Sequence, residues 1–562
     1  MKCAVPRFSS IFAPLWIDSS SFKADLMAGI TVSLVAIPQS LAYARLAGVP
    51  AYYGLYAALI PTIVGALFGS SRQLSTGPVA MTSLLTAASV APLAAADTES
   101  FYSCVILLAL LSGVFQILLG VFRVGVILNF LSHPVLMGFI NAAALIIGLA
   151  QLPTLLGIKA PQSSHFLLDI LDVLKHVGST HLLSLAFGLA AIGMIVGFKK
   201  FAPRLPGVLI TVAALTGGSY AMGFARIGGQ VVGAIPKGLP SFSIPNLDWH
   251  NAISLMAPAF IIALVSFMEA MSSSKVIANN TRVPWDENKE LVGQGLAKVA
   301  AAFCHSMPVS GSFSRSALNL ASNARTGMAS VISAACVLLT LLFLTPLLYH
   351  LPKPVLAAII MVAVVGLIRF PVMLHAWRVS RDDGIASVVT FAATLAFSPS
   401  IQNGILIGIF LSLGLMLFRM MRPRITELGV HQDGTLGDAN RYKLPPLDGR
   451  LVAIRFDGAL RFINVSTFEK AVLEMERGNP EIKTILVSCA GINDIDASGV
   501  DMLSKLIVRF SSNNVCLCFS GFKEHVQDVI EKSGLKDLIG TENLFDSDYS
   551  AVAQLRSRLG AS

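Results

Sequence analysis

The sequence predicts a polytopic α-helical membrane domain of fourteen spans, in two sets of seven, followed by a soluble α/β domain. Three observations predict it. Hydrophobic residues make up 54% of the 562 and charged residues only 13%, where a soluble domain carries about 25% charged. The mean hydropathy is +0.71, and the apolar residues fall in runs of the ~20 needed to cross a bilayer. After Pro423 the pattern changes to short apolar runs alternating with charged amphipathic ones.

The spans are placed near 24–46, 51–69, 76–93, 101–122, 126–153, 181–198 and 205–224, then near 251–276, 287–304, 312–323, 328–349, 353–369, 383–398 and 401–421. The halves are thus 24–224 and 251–421, preceded by a tail at 1–23. An even count puts both termini on one side. Loops on that side carry Arg72, Arg123, Lys199, Lys200, Arg204, Lys275, Arg282, Lys289, Arg325, Arg369, Arg378 and Arg381. The opposite side holds only Arg45, Lys159, Lys175, Arg226, Lys237 and Lys353. Both termini are therefore expected to be cytoplasmic; thirteen spans would scramble this bias. The net charge of +9 lies largely in these short loops, which argues against a nucleic-acid partner. No cleavable signal peptide is visible. The seven cysteines form no CxxC pair or metal-ligand cluster and read as small buried hydrophobes.

Residues 422–442 read as a linker and 443–562 as the soluble domain. LVAIRFDG (451–458), TILVSCAG (484–491) and VCLCFSG (515–521) read as strands. VSTFEKAVLEME (465–476), VDMLSKLIVRF (500–510) and KEHVQDVIEKSG (523–534) read as helices. Strands alternating with helices imply an α/β domain.

Two spans, third in each half, are short and open with Ser, Gly and Pro: STGPVAMTSLL (75–85) and PVSGSFSRSALNLAS (308–322). Corresponding interrupted segments point to a midplane site built from half-helices. Their N-termini present unpaired N–H groups and a positive dipole end, which suits an anion. Arg315 lies in the first turn of the second half-helix beside Ser310, Ser312 and Ser314, and Glu269 lies within IIALVSFMEAMSSS (261–274). A charge at a helix centre costs roughly 2.5–3.5 kcal/mol on insertion scales, so both should face a partner or a cavity. Either they form an ion pair that ties helices together, or Arg315 grips a tetrahedral oxyanion. In IPQSLAYARLAG (37–48), Pro38 interrupts the helix ladder, and Gln39 and Tyr43 stack on one face. They either bond between helices or line the site. Phe313 is either packing or a wall of it. His133, His305 and Lys298 have no partner legible in the sequence.

DLMAGITVSLVAIPQSLAYARLAGVPAYYGLYAALIPTIVGALFGSSRQLSTGPVAMTSLL (25–85) resembles the opening of the SulP family of sulfate and anion transporters. GSFSRSALN (311–319) resembles that family's tenth span, and the C-terminal segment resembles its STAS domain. The resemblance implies a UraA-like fold of seven-plus-seven inverted repeats, with a core domain moving against a gate domain. It implies an anion site at Gln39, Tyr43, the backbone around Val79–Ala80, Ser314 and Arg315. Glu269 matches the carboxylate of the family's proton-coupled sulfate transporters, whereas the sodium–bicarbonate branch carries Asp there. NDIDASGVDML (493–503) is similar to the loop where anti-sigma antagonists carry a phosphorylated serine, which places Ser498 as a regulatory phosphosite, an N-cap or an inert loop residue.

The expected function is proton-coupled sulfate uptake at the plasma (inner) membrane by alternating access, without cofactor or metal. A homodimer and a cytoplasmic protein partner for the STAS domain are expected. The alternatives are a bicarbonate symporter or an anion exchanger, a nucleobase permease of the same architecture, or a membrane-anchored sensor working through the STAS domain. No P-loop, HExxH or GxSxG motif points to an enzyme.

Overall fold

The computed structural model describes residues 19–95, 98–123, 132–158, 166–202, 205–236, 238–398, 401–431 and 435–560. The N-terminal tail as far as residue 18, with Cys3, lies outside the described residues, as do the loop charges Lys159, Arg204 and Lys237. The chain divides into two compact units, Met1–Ser412 and Leu413–Ser562.

In the first half of the membrane unit, α1 (Ser19–Leu46) runs through Pro38 without ending. It is followed by α2 (Ala51–Ala57), α3 (Ile60–Phe68), β1 (Ser75–Gly77) and α4 (Ala80–Val90). Next come α5 (Glu99–Val121), α6 (His133–Ala150), α7 (Leu152–Leu156), α8 (Phe166–Lys175), α9 (Leu182–Phe201) and α10 (Gly207–Ala221). The second half holds α11 (Trp249–Thr281), α12 (Glu287–Phe303), β2 (Ser310–Ser312), α13 (Phe313–Ala321) and α14 (Met328–Leu339). A π-helical turn at Thr340–Leu344 and a last turn at Thr345–Leu348 extend α14. The half closes with α15 (Lys353–Val365), α16 (Phe370–Val379), α17 (Arg381–Ala396) and α18 (Gln402–Met421). Among the described residues, helix is found in each of the fourteen segments read as spans. Among the described residues, nine helical tracts are long and apolar enough to cross a membrane by themselves, while α4 and α10 are shorter apolar helices.

The second half-helix begins at Phe313, as placed, whereas the first begins at Ala80 rather than near 76, because Ser75–Gly77 is spent on strand. β1 pairs antiparallel with β2, Ser75 opposite Ser312 and Gly77 opposite Ser310. In lipid each backbone polar group must find an internal partner, and the two breaks supply each other's. α4 and α13 start where the pair ends.

In the second unit, the stretch read as a linker carries β3 (Arg424–Val430) and β4 (Leu436–Asp438), then the short α19 (Ala439–Tyr442). This corrects that boundary: β3 pairs antiparallel with β5 (Leu451–Asp457) and belongs to the sheet. β5 is followed by α20 (Val465–Gly478), β6 (Thr484–Ser488), α21 (Ala497–Ser512) and β7 (Cys516–Ser520). The chain ends with α22 (Glu524–Lys532), α23 (Leu535–Ile539), β8 (Leu544–Phe545) and α24 (Asp548–Gly560). Strand order is β4-β3-β5-β6-β7-β8, with β5 through β8 parallel. Alternation along β5 sends Ile454 and Phe456 into one core and Leu451 and Ala453 into another on the opposite face. The predicted strands and helices of 451–534 each correspond to one of these elements.

Candidate functional site

α4 and α13 begin at the same strand pair, so their first turns converge. The α13 cap is Ser312, whose hydroxyl accepts from the Arg315 N–H at 3.4 Å. Val79 stands at the corresponding position before α4 with extended backbone and no side-chain cap. That leaves the first N–H groups of α4 uncapped by any side chain, an arrangement receptive to an anion.

Arg315 is 1% exposed. Its Nε donates to Ser75 Oγ at 3.3 Å and its Nη1 to the Pro78 carbonyl at 2.9 Å. Nη2 has no hydrogen-bond partner among the described residues. It lies where a Cβ on residue 77 would come within 3.0 Å, so glycine there leaves room for the guanidinium. The Arg315 charge is thus held behind the strand pair, with one donor in reserve.

A cavity of about 870 Å³ lies in front of these helix starts. Gln39, Tyr43, Val79, Ala80, Phe313, Ser314 and Glu269 all line it. Phe313 is 45% exposed and therefore a wall of the cavity rather than packing. The Gln39 and Glu269 side chains each present an oxygen, Oε1 and Oε2, without a hydrogen-bond partner among the described residues. Among the residues predicted for the anion site and for coupling, Arg315 alone does not line the cavity. The lining extends to His133, Lys199 and Arg369, of which sequence reasoning set His133 aside and read the other two as loop charges.

Three buried ionisable groups were missed as structural partners. Asp25 accepts from the backbone N–H of Arg325 and Thr326 and from the Thr326 hydroxyl, at 2.6–3.1 Å. Glu290 accepts from Ser70 and Ser71 N–H at 2.7 and 2.9 Å and from Gln294 Nε2 at 2.9 Å. Gln294 Nε2 also donates to Thr76 Oγ1 on β1, at 2.8 Å. The third is Lys298, whose Nζ donates to Gln116 Oε1 and Ser266 Oγ at 2.6 and 2.7 Å. Partners this distant in sequence leave no local signal, apart from a charge inside an apolar helix.

In the second unit Ser498 is exposed in the first turn of α21. The cap of that helix is Asp496, which accepts from Gly499 N–H at 2.9 Å and from Phe462 N–H at 2.8 Å. The N-cap reading of Ser498 is thereby corrected. Arg461 pairs with Asp494 at 2.6 Å beside it; that hydrogen bond holds the Asp494 carboxyl below the usual range.

The sequence matches the model of the sulfate permease family over residues 22–390 and that of the STAS domain over 444–551. It is 33% identical over 583 residues to the chloroplastic sulfate transporter 4.1 of Arabidopsis thaliana, covering 97% of this chain and 82% of that one. It is 30% identical to high affinity sulfate transporter 2 of Stylosanthes hamata, covering 95% and 84%. The structure superposes on the murine Slc26a9 anion transporter in its inward-facing state with a TM-score of 0.90 at 22% identity, covering 99% and 96%. That likeness shows the UraA-like fold the resemblance implied.

Proposed function

The chain belongs to the sulfate permease family of anion transporters, and on that premise we propose that it carries sulfate with a proton. The observation that carries this reading is one cavity that meets two helix N-termini and the Glu269 carboxylate, with Arg315 buried just outside its lining; among the described residues, Glu269 Oε2 and Arg315 Nη2 have no hydrogen-bond partner. The dianion sits against the first turns of α4 and α13, contacting the backbone at Val79–Ala80 and the Ser314 hydroxyl. Arg315 supplies positive charge from behind, and Gln39 and Tyr43 close the opposite wall.

Glu269 carries the proton. A dianion entering against about 100 mV, inside negative, is opposed by roughly 4.6 kcal/mol of electrical work, and one co-transported proton halves it. When ionised, the carboxylate competes with the anion for the Arg315 field. When protonated, it ceases to compete, so proton and anion bind cooperatively by linkage. Rocking of the core helices against the gate then changes the side to which the site opens. The termini and the STAS domain are read as cytoplasmic and the membrane as the plasma membrane; the protein is read as a homodimer.

A bicarbonate symporter requires sodium, and an exchanger is stimulated by anion on the opposite side. Sulfate uptake by proteoliposomes in sodium-free buffer, with and without an inward proton gradient and internal anion, separates the three. Gradient-driven accumulation without internal anion is expected. Uptake that needs sodium or internal anion overturns proton symport.

A further inference from the structure

Lys298 is fully buried and has no part in the mechanism above. Its surroundings are made for a cation. Gln116 spends its amide hydrogens on the Ala263 carbonyl and on Ser266 Oγ, so it can offer Lys298 only its oxygen. Ser266 spends its own hydrogen on the Ala263 carbonyl, so its hydroxyl oxygen too acts toward Nζ as an acceptor. The ammonium cannot swing out to water. A Cβ on Gly113 of α5 would lie 2.8 Å from the Gly295 carbonyl and 3.0 Å from Lys298 Cβ, so the two helix backbones touch where the lysine emerges.

Ser266 and Glu269 are three residues apart on α11 and hence on one face. The charged groups whose fields reach Glu269 are Lys298 and Arg315. Glu290, the other ionisable residue buried in α12, is eight residues earlier, about 12 Å along the axis, and accepts hydrogen bonds from backbone N–H groups at that end. Lys199 and Arg369 belong to the extended lining of the cavity.

We propose that Lys298 is a specificity-determining positioning residue that sets the transported anion's charge at two, an inference that rests on the transport reading above. With Glu269 ionised, the empty site of Lys298, Glu269 and Arg315 carries one net positive charge. A proton on Glu269 raises this to two, which a dianion cancels. In low dielectric an uncancelled charge is costly, so the loaded, neutral site is the one able to move. Without Lys298 the protonated site carries a single positive charge, which a monoanion cancels and a dianion overshoots.

The test is uptake of radiolabelled sulfate and radiolabelled chloride by the full-length protein in proteoliposomes. Lys298→Met is expected to lower the sulfate-to-chloride ratio about tenfold or more, while Lys298→Arg, which keeps the charge, keeps the ratio. Gln116→Glu neutralises the ammonium in place and is expected to shift the ratio the same way, which decides the matter if Lys298→Met does not fold. A wild-type preference for sulfate that both charge-removing variants leave within about twofold overturns the role of Lys298 alone. A wild-type preference for chloride overturns the sulfate reading and the charge match together.

Discussion

Arg315 commits Nε to Ser75 of β1 and Nη1 to the Pro78 carbonyl just after it, and keeps Nη2 in reserve against Gly77. Gly77→Ala places a methyl group 3.0 Å from that nitrogen and forces the guanidinium to shift. Sulfate uptake is expected to fall about tenfold or more, with the protein still monodisperse in detergent. Undiminished uptake would show that the position of Nη2 does not matter. In the second unit, the Cys518 thiol hydrogen-bonds the Cys516 sulfur at 3.6 Å and brings the Cys516 thiol down to about 7, against the effect of burial. The same contact and burial push Cys518 up. Cys516 is thus expected to alkylate before the other described cysteines, at a rate rising through pH 7, as read by mass spectrometry of iodoacetamide-treated protein. Cys518→Ala returns the midpoint toward the ordinary thiol range. The sequence places both on one face of the strand 515–521, but the spacing alone does not show that the two sulfurs touch.

At the scale of elements, the half-helices were legible because Ser, Gly and Pro interrupt apolar runs at the same place in each half. The β1–β2 pairing was not, since Ser75 pairs with Ser312, far away in the sequence, and three-residue strands carry no period. β3 was read as linker because RITELGV has few apolar residues, and it gains its identity from β5. The Gly113–Gly295 contact was equally hidden. Gly295→Val would drive a side chain against the Gly113 carbonyl, 2.7 Å from the new Cβ. That overpacking is expected to cost about 1–3 kcal/mol and to lower the midpoint of a heat-and-sizing unfolding series. A midpoint at or above that of the parent would mean α5 and α12 can separate without loss.

For the molecule as a whole, composition alone separated a lipid-embedded unit from a soluble one, because the two solvents demand different residues. What composition could not provide was the convergence of side chains from α1, α4, α11 and α13 on one cavity. Removing only residues 443–562 would leave β3 and β4 without the rest of their sheet, so a truncation belongs before Arg424. A chain ending at Pro423 is expected to keep measurable sulfate flux, whereas total loss in a folded protein would favour a role centred on the STAS domain. The central claim, that Glu269 couples a proton to the anion, is tested most directly by sodium-free sulfate uptake into proteoliposomes with an imposed inward proton gradient, parent against Glu269→Gln. The parent should accumulate sulfate in response to the gradient, and the variant should equilibrate sulfate without responding to it. A variant that responds to the gradient as the parent does would contradict the account.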